Sequence, residues 1–108
     1  MKKIIIIVAS LCLLSTSGVI AETVDGKMTV QGLCGMCKTR IEKTAQGVPG
    51  VTRAEWQMDT KVLTLQFDST KTSMEFISEQ LAKVGHDTDR NRADDKVYNS
   101  LPSCCKYR

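Results

Sequence analysis

The sequence predicts one small α+β domain in which the elements follow in the order strand, helix, strand, strand, helix, strand. Apolar and polar residues alternate over residues 51–59 and again over residues 62–67, which is the pattern of half-buried strands. Apolar residues recur at helical spacing after Met36 and after Thr72, and glycines close both segments. This order is the ferredoxin-like βαββαβ arrangement, in which two helices cover one face of a single sheet.

The remaining elements are bounded by turn and capping signals. The first strand is predicted over residues 27–32, where two apolar residues alternate before a glycine turn. The second helix begins with a capping box at residues 72–75 and ends at Gly85. A last edge strand is predicted over residues 86–91, although its polar composition gives it little support.

The apolar stripes of these elements are expected to form one core, because each stripe must be buried against a common layer. Trp56 is interpreted as a core residue of its strand. The predicted core consists of Ala54, Trp56, Met58, Leu63, Leu65, Phe67, Ile41, Ile77 and Leu81.

Residues 1–21 have the features of a secretory signal peptide. Lys2 and Lys3 precede an apolar run over residues 4–14, and small residues then lead to a cleavage position after Ala21. The run is too short to span a bilayer, and no other segment is a candidate membrane span. We therefore expect an exported, periplasmic protein. Its expected parts are a signal peptide over 1–21, a domain over 22–91 and a tail over 92–108.

The charge of the mature part does not suggest a polyanionic partner. Without the two leader lysines, thirteen Lys and Arg residues face twelve Asp and Glu residues, and the two signs are interspersed. A nucleic-acid-binding function is therefore not expected. The mature part is long enough for a single modest core, so we expect a monomer, with a metal-bridged dimer as an alternative.

Four cysteines remain after removal of the leader, namely Cys34, Cys37, Cys104 and Cys105. In an oxidising compartment paired cysteines usually form disulfides, but a disulfide framework would spread them through the loops. Cys34 and Cys37 instead lie between a strand and a helix start, where the helix dipole and free N–H groups favour thiolates. Two thiolates on a short loop suit a soft ion such as Cu(I), and the same softness admits Hg(II) and Zn(II).

At these residues the sequence resembles the heavy-metal-associated domain family, which includes copper chaperones, mercury-binding periplasmic proteins and N-terminal modules of metal-pumping ATPases. The resemblance covers residues 27–91. It rests on Val30-x-Gly32, Cys34-x-x-Cys37, Gly50-Val51 and Val84-Gly85-His86-Asp87. It implies the βαββαβ fold, metal binding through both motif cysteines, and a metal-transporting ATPase or efflux component as partner. The loop before Cys34 is one residue shorter than the family usually has.

The resemblance also draws attention to His86, because in the family the residue after that glycine lies beside the metal loop. It is a candidate third ligand or pH-sensitive gate, and the alternative is a surface histidine at a strand start. Met36 lies between the motif cysteines, where its thioether is either a weak ligand or a packing group. The basic face of the first helix, with Lys38, Arg40 and Lys43, is interpreted as solvated, with docking to an acidic partner as the alternative.

The tail carries the other two thiols. Val97, Tyr98 and Leu101 are spaced to form a short helical piece that docks on the domain. Neighbouring cysteines rarely bond to each other without strain, so Cys104 and Cys105 are candidates for extra metal ligation or for a disulfide to the first motif. A third alternative gives them no specific role. An extended chain of about 3.3 Å per residue is long enough for the tail to return to the metal loop.

These observations favour an exported soft-metal-binding protein, a chaperone or a sequestering protein in heavy-metal transport or detoxification, rather than an enzyme. The main alternative is a thiol–disulfide oxidoreductase that uses Cys34 and Cys37, because such enzymes place the same motif between a strand and a helix. No tryptophan precedes Cys34, however, and Pro49 and Pro102 are poorly placed to face the motif. A structural domain held by disulfides is a third, weaker interpretation.

Overall fold

The structure is a computed structural model that describes residues 22–108, so the predicted signal peptide lies outside the described residues. None of the helices described within this range is long and apolar enough to cross a membrane. The elements are β1 Thr23–Thr29, α1 Gly35–Gln46, β2 Val51–Trp56, β3 Val62–Asp68, α2 Met74–Lys83, α3 Asp95–Asn99 and a 3-10 turn Ser103–Cys105.

The three strands form one antiparallel sheet in the order β1-β3-β2, so the chain has the predicted α+β, ferredoxin-like architecture. β1 pairs with β3 along its whole length, from Thr23 opposite Asp68 to Thr29 opposite Val62. β1 therefore begins four residues before the predicted start at residue 27. The added residues are mostly polar, so the alternation of apolar and polar residues did not reveal them, but their backbones pair with β3. β2 pairs with the other edge of β3, with Trp56 opposite Leu63.

The predicted last edge strand over residues 86–91 is not formed as a regular strand. A single bridge joins Thr88 to Val30, just after β1. Beyond that bridge the chain turns, because the Thr88 side chain accepts hydrogen bonds from the N–H groups of Arg90 and Asn91. Local side-chain bonds of this kind compete with a strand ladder.

The core lies between the sheet and the two long helices, and it contains eight of the nine predicted residues. Met58 is the exception, because its side chain is 39% exposed. The prediction for Met58 was wrong because β2 ends at Trp56, so the alternation of inward and outward side chains stops two residues earlier. Trp56 is fully buried, as expected for a core residue.

The C-terminal tail packs into this same core. Tyr98, Leu101 and Cys105 are buried and contiguous with the core of the sheet and helices. Leu101 lies directly over Gly85, whose φ of +105° favours glycine, and a Cβ at Gly85 would lie 2.9 Å from the leucine side chain. The end of α2 is therefore shaped to receive the tail.

The first prediction concerns the core. Replacing the fully buried Leu65 with alanine removes apolar contacts and leaves a cavity, so the free energy of unfolding should fall by about 2–5 kcal/mol. Chemical denaturation monitored by circular dichroism measures this change. Met58→Ala is the matched control, with an expected change of about 0.5 kcal/mol or less. Equal losses in the two variants would contradict the observed register of β2 and β3.

Candidate metal centre

The loop that carries the cysteine motif is hydrogen-bonded to two side chains, one from β2 and one from the turn between β2 and β3. The indole Nε1 of the buried Trp56 donates a hydrogen bond of 3.0 Å to the carbonyl oxygen of Val30. Lys61 donates from Nζ to the carbonyl oxygen of Gly32 at 2.6 Å. A Cβ at Gly32 would lie 3.0 Å from the Cβ of Cys37 and 3.1 Å from the Trp56 ring, so this glycine permits the close approach of loop and core.

The two motif cysteines occupy different environments at the start of α1. Cys34 is the N-cap residue, and its carbonyl oxygen accepts the first helical hydrogen bond, from the Lys38 N–H. Its sulfur is partly exposed and forms no capping hydrogen bond with the helix backbone. The Cys37 side chain lies one turn further and points inward, where it is fully buried with Ile41.

The tail brings two more sulfur atoms to the same place. The Cys34 Sγ lies 3.6 Å from the Cys37 Sγ, 3.1 Å from the Cys104 Sγ and 3.4 Å from the Cys105 Sγ. The Cys104 and Cys105 Sγ atoms are 4.0 Å apart. The expected return of the tail to the Cys34 loop is thus observed, and the four cysteines of the described residues meet at one point.

Cys37 and Cys105 form a disulfide, which joins the Cys34-x-x-Cys37 motif to the tail. Cys37 is buried rather than exposed on the loop, because the apolar face of α1 turns it into the core beside the equally buried Cys105. Cys34 and Cys104 remain free thiols. Among the described residues, Cys34, Cys104 and Cys105 form a group whose potential ligand atoms all lie within 4.8 Å of one another.

The two free thiols interact as donor and acceptor. The hydrogen bond between the Cys34 and Cys104 sulfurs lowers the pKa of Cys34 below its usual value, with further help from the N–H groups of Cys37 and Met36 and the charge of Arg40. The same hydrogen bond raises the pKa of Cys104. Cys34 is therefore the thiol that ionises first.

His86 does not join the sulfur cluster, the group formed by Cys34, Cys37, Cys104 and Cys105. Its ring is fully buried, and its Nδ1 lies 2.8 Å from the carbonyl oxygen of Gln31, so Nδ1 carries the proton and donates. Its Nε2 accepts from Nη1 of Arg40 at 3.4 Å. Burial lowers the pKa of His86, and it is neutral at physiological pH. The structure thus places both ring nitrogens in hydrogen bonds to the protein.

Sequence reasoning did not identify Arg40 as part of the site. Besides bonding to His86, its Nη1 lies 3.6 Å from the Cys105 sulfur. Its guanidinium is the positive group beside the sulfur cluster. Lys38, from the same basic face, is instead tied to Glu42 at 2.8 Å and to the carbonyl oxygen of Trp56 at 2.8 Å. Helical spacing alone placed both residues on one face and did not separate these roles.

The residues that anchor the tail were also missed. The Tyr107 hydroxyl donates to the carbonyl oxygen of Gly85 at 2.6 Å and accepts from the Asp87 N–H at 2.8 Å. The Arg108 guanidinium forms an ion pair of 2.8 Å with Asp87 and donates to the carbonyl oxygen of Ala93 at 2.7 Å. These contacts join the tail to the Gly85–Asp87 turn, and a tyrosine two residues after a cysteine pair was a weak signal for them.

Met36 is more than half exposed at the rim of the cluster. Its Sδ lies 3.6 Å from the Cys104 Sγ, which makes it a neighbour of the tail thiol rather than a core residue. The thioether therefore covers one side of the sulfur cluster.

Comparison with known proteins relates this architecture to metal-handling domains. A model of the heavy-metal-associated domain matches residues 27–87. The copper chaperone CopZ of Staphylococcus aureus is 28% identical over 61 residues, which cover 56% of this chain and 90% of CopZ. A copper-exporting P-type ATPase of Bacillus subtilis is 28% identical over 89 residues, which cover 82% of this chain but only 11% of the ATPase.

Solved structures give the same relationship. Oxidised MerP from Ralstonia metallidurans CH34 has a TM-score of 0.60 and 25% identity, and the match covers 63% of this chain and 96% of MerP. The N-terminal soluble domains of Bacillus subtilis CopA have a TM-score of 0.59 and 31% identity, with 64% of this chain and 48% of that chain covered. Cys104 and Cys105 lie beyond the residues that the domain model matches.

The second prediction concerns thiol reactivity. In the protein that retains the Cys37–Cys105 disulfide, Cys34 should react faster with iodoacetamide at pH 7 than Cys104, because only the thiolate is nucleophilic. Replacing Cys104 with alanine removes the hydrogen bond that lowers the Cys34 pKa, so the pH–rate profile of Cys34 should move to higher pH. Mass spectrometry of the alkylated peptides measures both effects. An unmoved profile in Cys104→Ala would show that Cys104 does not activate Cys34.

Proposed function

The chain belongs to the heavy-metal-associated domain family, and from this premise we propose that the reduced protein binds one soft metal ion through Cys34 and Cys37, with Cu(I) favoured. The proposal rests above all on the position of Cys34. It is a partly exposed thiol of lowered pKa at a helix N-terminus, and Cys37 lies 3.6 Å from it. Relatives described as copper chaperones and copper-exporting ATPases support a role in metal handling.

The chemistry of the site suits an ion that prefers sulfur. Thiolates are soft ligands, and they select Cu(I) and other d10 ions over the hard ions that prefer oxygen. The backbone N–H groups of Met36 and Cys37 stabilise the negative charge that Cys34 carries as a thiolate. Sulfur ligands suit Hg(II) and Zn(II) equally well. The proposed preference for Cu(I) therefore rests on the relatives named above.

Metal binding by both motif cysteines requires reduction of the Cys37–Cys105 disulfide. Two electrons and two protons from a dithiol reductant convert the bond into two thiols, which frees Cys37 as a ligand. In the oxidised protein Cys37 offers no thiolate, and Cys34 then has only Cys104 as a free neighbouring thiol. The redox state of the tail therefore controls access to the motif.

The cellular role that fits these features is metal transport or detoxification outside the cytoplasm. The signal-like leader over residues 1–21 supports export to the periplasm. A metal-transporting ATPase or an efflux component is the proposed partner, because the chain resembles the N-terminal domains of copper ATPases. We propose that the protein is a monomer that either delivers or sequesters the ion.

One observation favours a second candidate function. A thiol of lowered pKa, Cys34, lies 3.4 Å from one sulfur of a disulfide, as in thiol–disulfide oxidoreductases. An insulin-reduction assay with a dithiol as electron donor separates this function from metal binding. Turnover above the uncatalysed rate would favour the oxidoreductase.

The third prediction tests the motif directly. Replacing both Cys34 and Cys37 with serine removes the two proposed ligands, so Cu(I) affinity of the reduced protein should fall by about 100-fold or more. Anaerobic titration against a chromophoric Cu(I) chelator measures the affinity. Thr39→Ala, on the exposed side of the first turn of α1, is the control and should bind as the wild type does. Wild-type affinity in the double variant would contradict the proposed function.

The fourth prediction concerns the disulfide. Protein purified without reductant should bind less than one equivalent of Cu(I), and treatment with a dithiol should restore one equivalent. Cys105→Ala, kept anaerobic, should bind one equivalent without this treatment, because Cys37 then lacks the cysteine to which it is bonded in the structure. Cys104→Ser retains the disulfide and should still require the reductant. If Cys105→Ala needed the dithiol as the wild type does, the disulfide would not control access.

A further inference from the structure

We infer that Cys104 and Cys105 complete a closed four-thiolate site around the ion, which lets the reduced protein also bind tetrahedral d10 dications and makes it a holder rather than a rapid donor of its ion. The inference rests on the proposed function, because Cys34 and Cys37 supply the other two thiolates. It concerns a part of the chain that lies beyond the matched domain. The sequence feature that carries it is a cysteine pair some seventy positions after the motif.

The separations of the sulfur atoms fit one ion held by four ligands. Four thiolates at about 2.3 Å from a central Zn(II) form a tetrahedron whose edges are about 3.8 Å. The observed separations from the Cys34 Sγ are 3.1–3.6 Å, and the Cys104–Cys105 separation is 4.0 Å. A linear two-thiolate ion would need sulfurs about 4.6 Å apart, twice the same bond length. The cluster is therefore closer to tetrahedral than to linear coordination.

Reduction opens the bonded edge of the cluster, between Cys37 and Cys105. Once the Cys37–Cys105 bond is broken, the two sulfurs repel each other at van der Waals distance, and an ion between them restores an attractive contact. Their Cα atoms are 5.9 Å apart, a spacing that leaves the side chains free to move from bonded sulfurs to the edge of a tetrahedron.

The surroundings compensate the charge of such a site. Four thiolates and one dication carry a net charge of −2, which is costly beside a buried core unless positive groups lie close. The N–H groups of Met36 and Cys37 at the start of α1 face Cys34, and Arg40 faces Cys105. Because His86 accepts from the same Nη1, it holds Arg40 in this position. His86 thus acts as a positioning residue of the site.

The tail also protects the site from exchange. Cys37 and Cys105 are fully buried, whereas Cys34 and Cys104 remain accessible. Transfer to another protein requires an incoming thiolate to occupy a free coordination position, and a four-thiolate site has none. Tyr107 and Arg108 hold the tail against the Gly85–Asp87 turn, so an incoming protein thiol has to displace a ligand that is anchored at a second point. The site is built to retain its ion.

Cd(II) is the probe of choice, because its thiolate charge-transfer band grows with the number of bound sulfurs. We expect the reduced full-length protein to bind one Cd(II) with a band typical of four thiolates, and Cys104→Ser to keep about three-quarters of it. Release of Cd(II) to an excess of chelator should be about 100-fold faster in Cys104→Ser. Ser103→Ala, from the same turn, is the matched control and should behave as the wild type does.

Cys104 is exposed, so its replacement leaves the core intact, and circular dichroism verifies the fold of each variant. Equal band intensity and equal release rate in Cys104→Ser and the wild type would overturn the four-thiolate site. Cys34→Ser/Cys37→Ser distinguishes this failure from failure of the proposed function. If only that double variant loses Cd(II), the two-cysteine site stands alone; if it binds as the wild type does, the proposed function itself is wrong.

Discussion

The docking of the tail on the Gly85–Asp87 turn is the interaction on which the site depends. The Tyr107 hydroxyl donates a hydrogen bond to the Gly85 carbonyl oxygen and accepts one from the Asp87 N–H. Leu101 fills the space beside Gly85 that a side chain would otherwise take. These contacts place the 3-10 turn of the tail over the start of α1, where Cys105 reaches the buried Cys37. Without them the protein would have a two-cysteine loop and a free tail.

A chain of hydrogen bonds connects the sulfur cluster to the backbone beneath it. The carbonyl oxygen of Gln31 fixes the proton of His86 on Nδ1, and the free Nε2 then accepts from Arg40, which faces Cys105. Both ring nitrogens of the buried His86 are thereby satisfied, as buried polar groups require. The histidine therefore influences the site through the arginine, and its burial keeps it neutral while the arginine carries the charge.

The sequence was sufficient to predict the helices and strands with strong periodicity and the cysteine motif. It was not sufficient where contacts between residues far apart in the chain determine the structure. Alternation predicted β2 and β3, but it continued the strand to Met58, which lies beyond the last ladder pair. The polar segment around Thr88 is a single bridge and a turn, because side-chain hydrogen bonds compete with the ladder. The inward direction of Cys37 followed from its place on the apolar stripe, whereas its partner Cys105 depends on tail contacts that no local pattern encodes.

The Cys37–Cys105 bond joins residues 68 positions apart, so it encloses most of the described chain in one covalent loop. Closing a loop of this length restricts the unfolded chain and stabilises the folded state by about 4 kcal/mol in the chain-entropy model. A reductant that opens the site therefore also removes a large part of the protein's resistance to unfolding. The proposed ion, bound by the same sulfurs, would renew that cross-link in another chemical form. Of the disulfide-bonded, the reduced metal-free and the metal-bound protein, the reduced metal-free form is then the least stable to unfolding. Its unfolding rate limits the time during which the folded site can bind an ion.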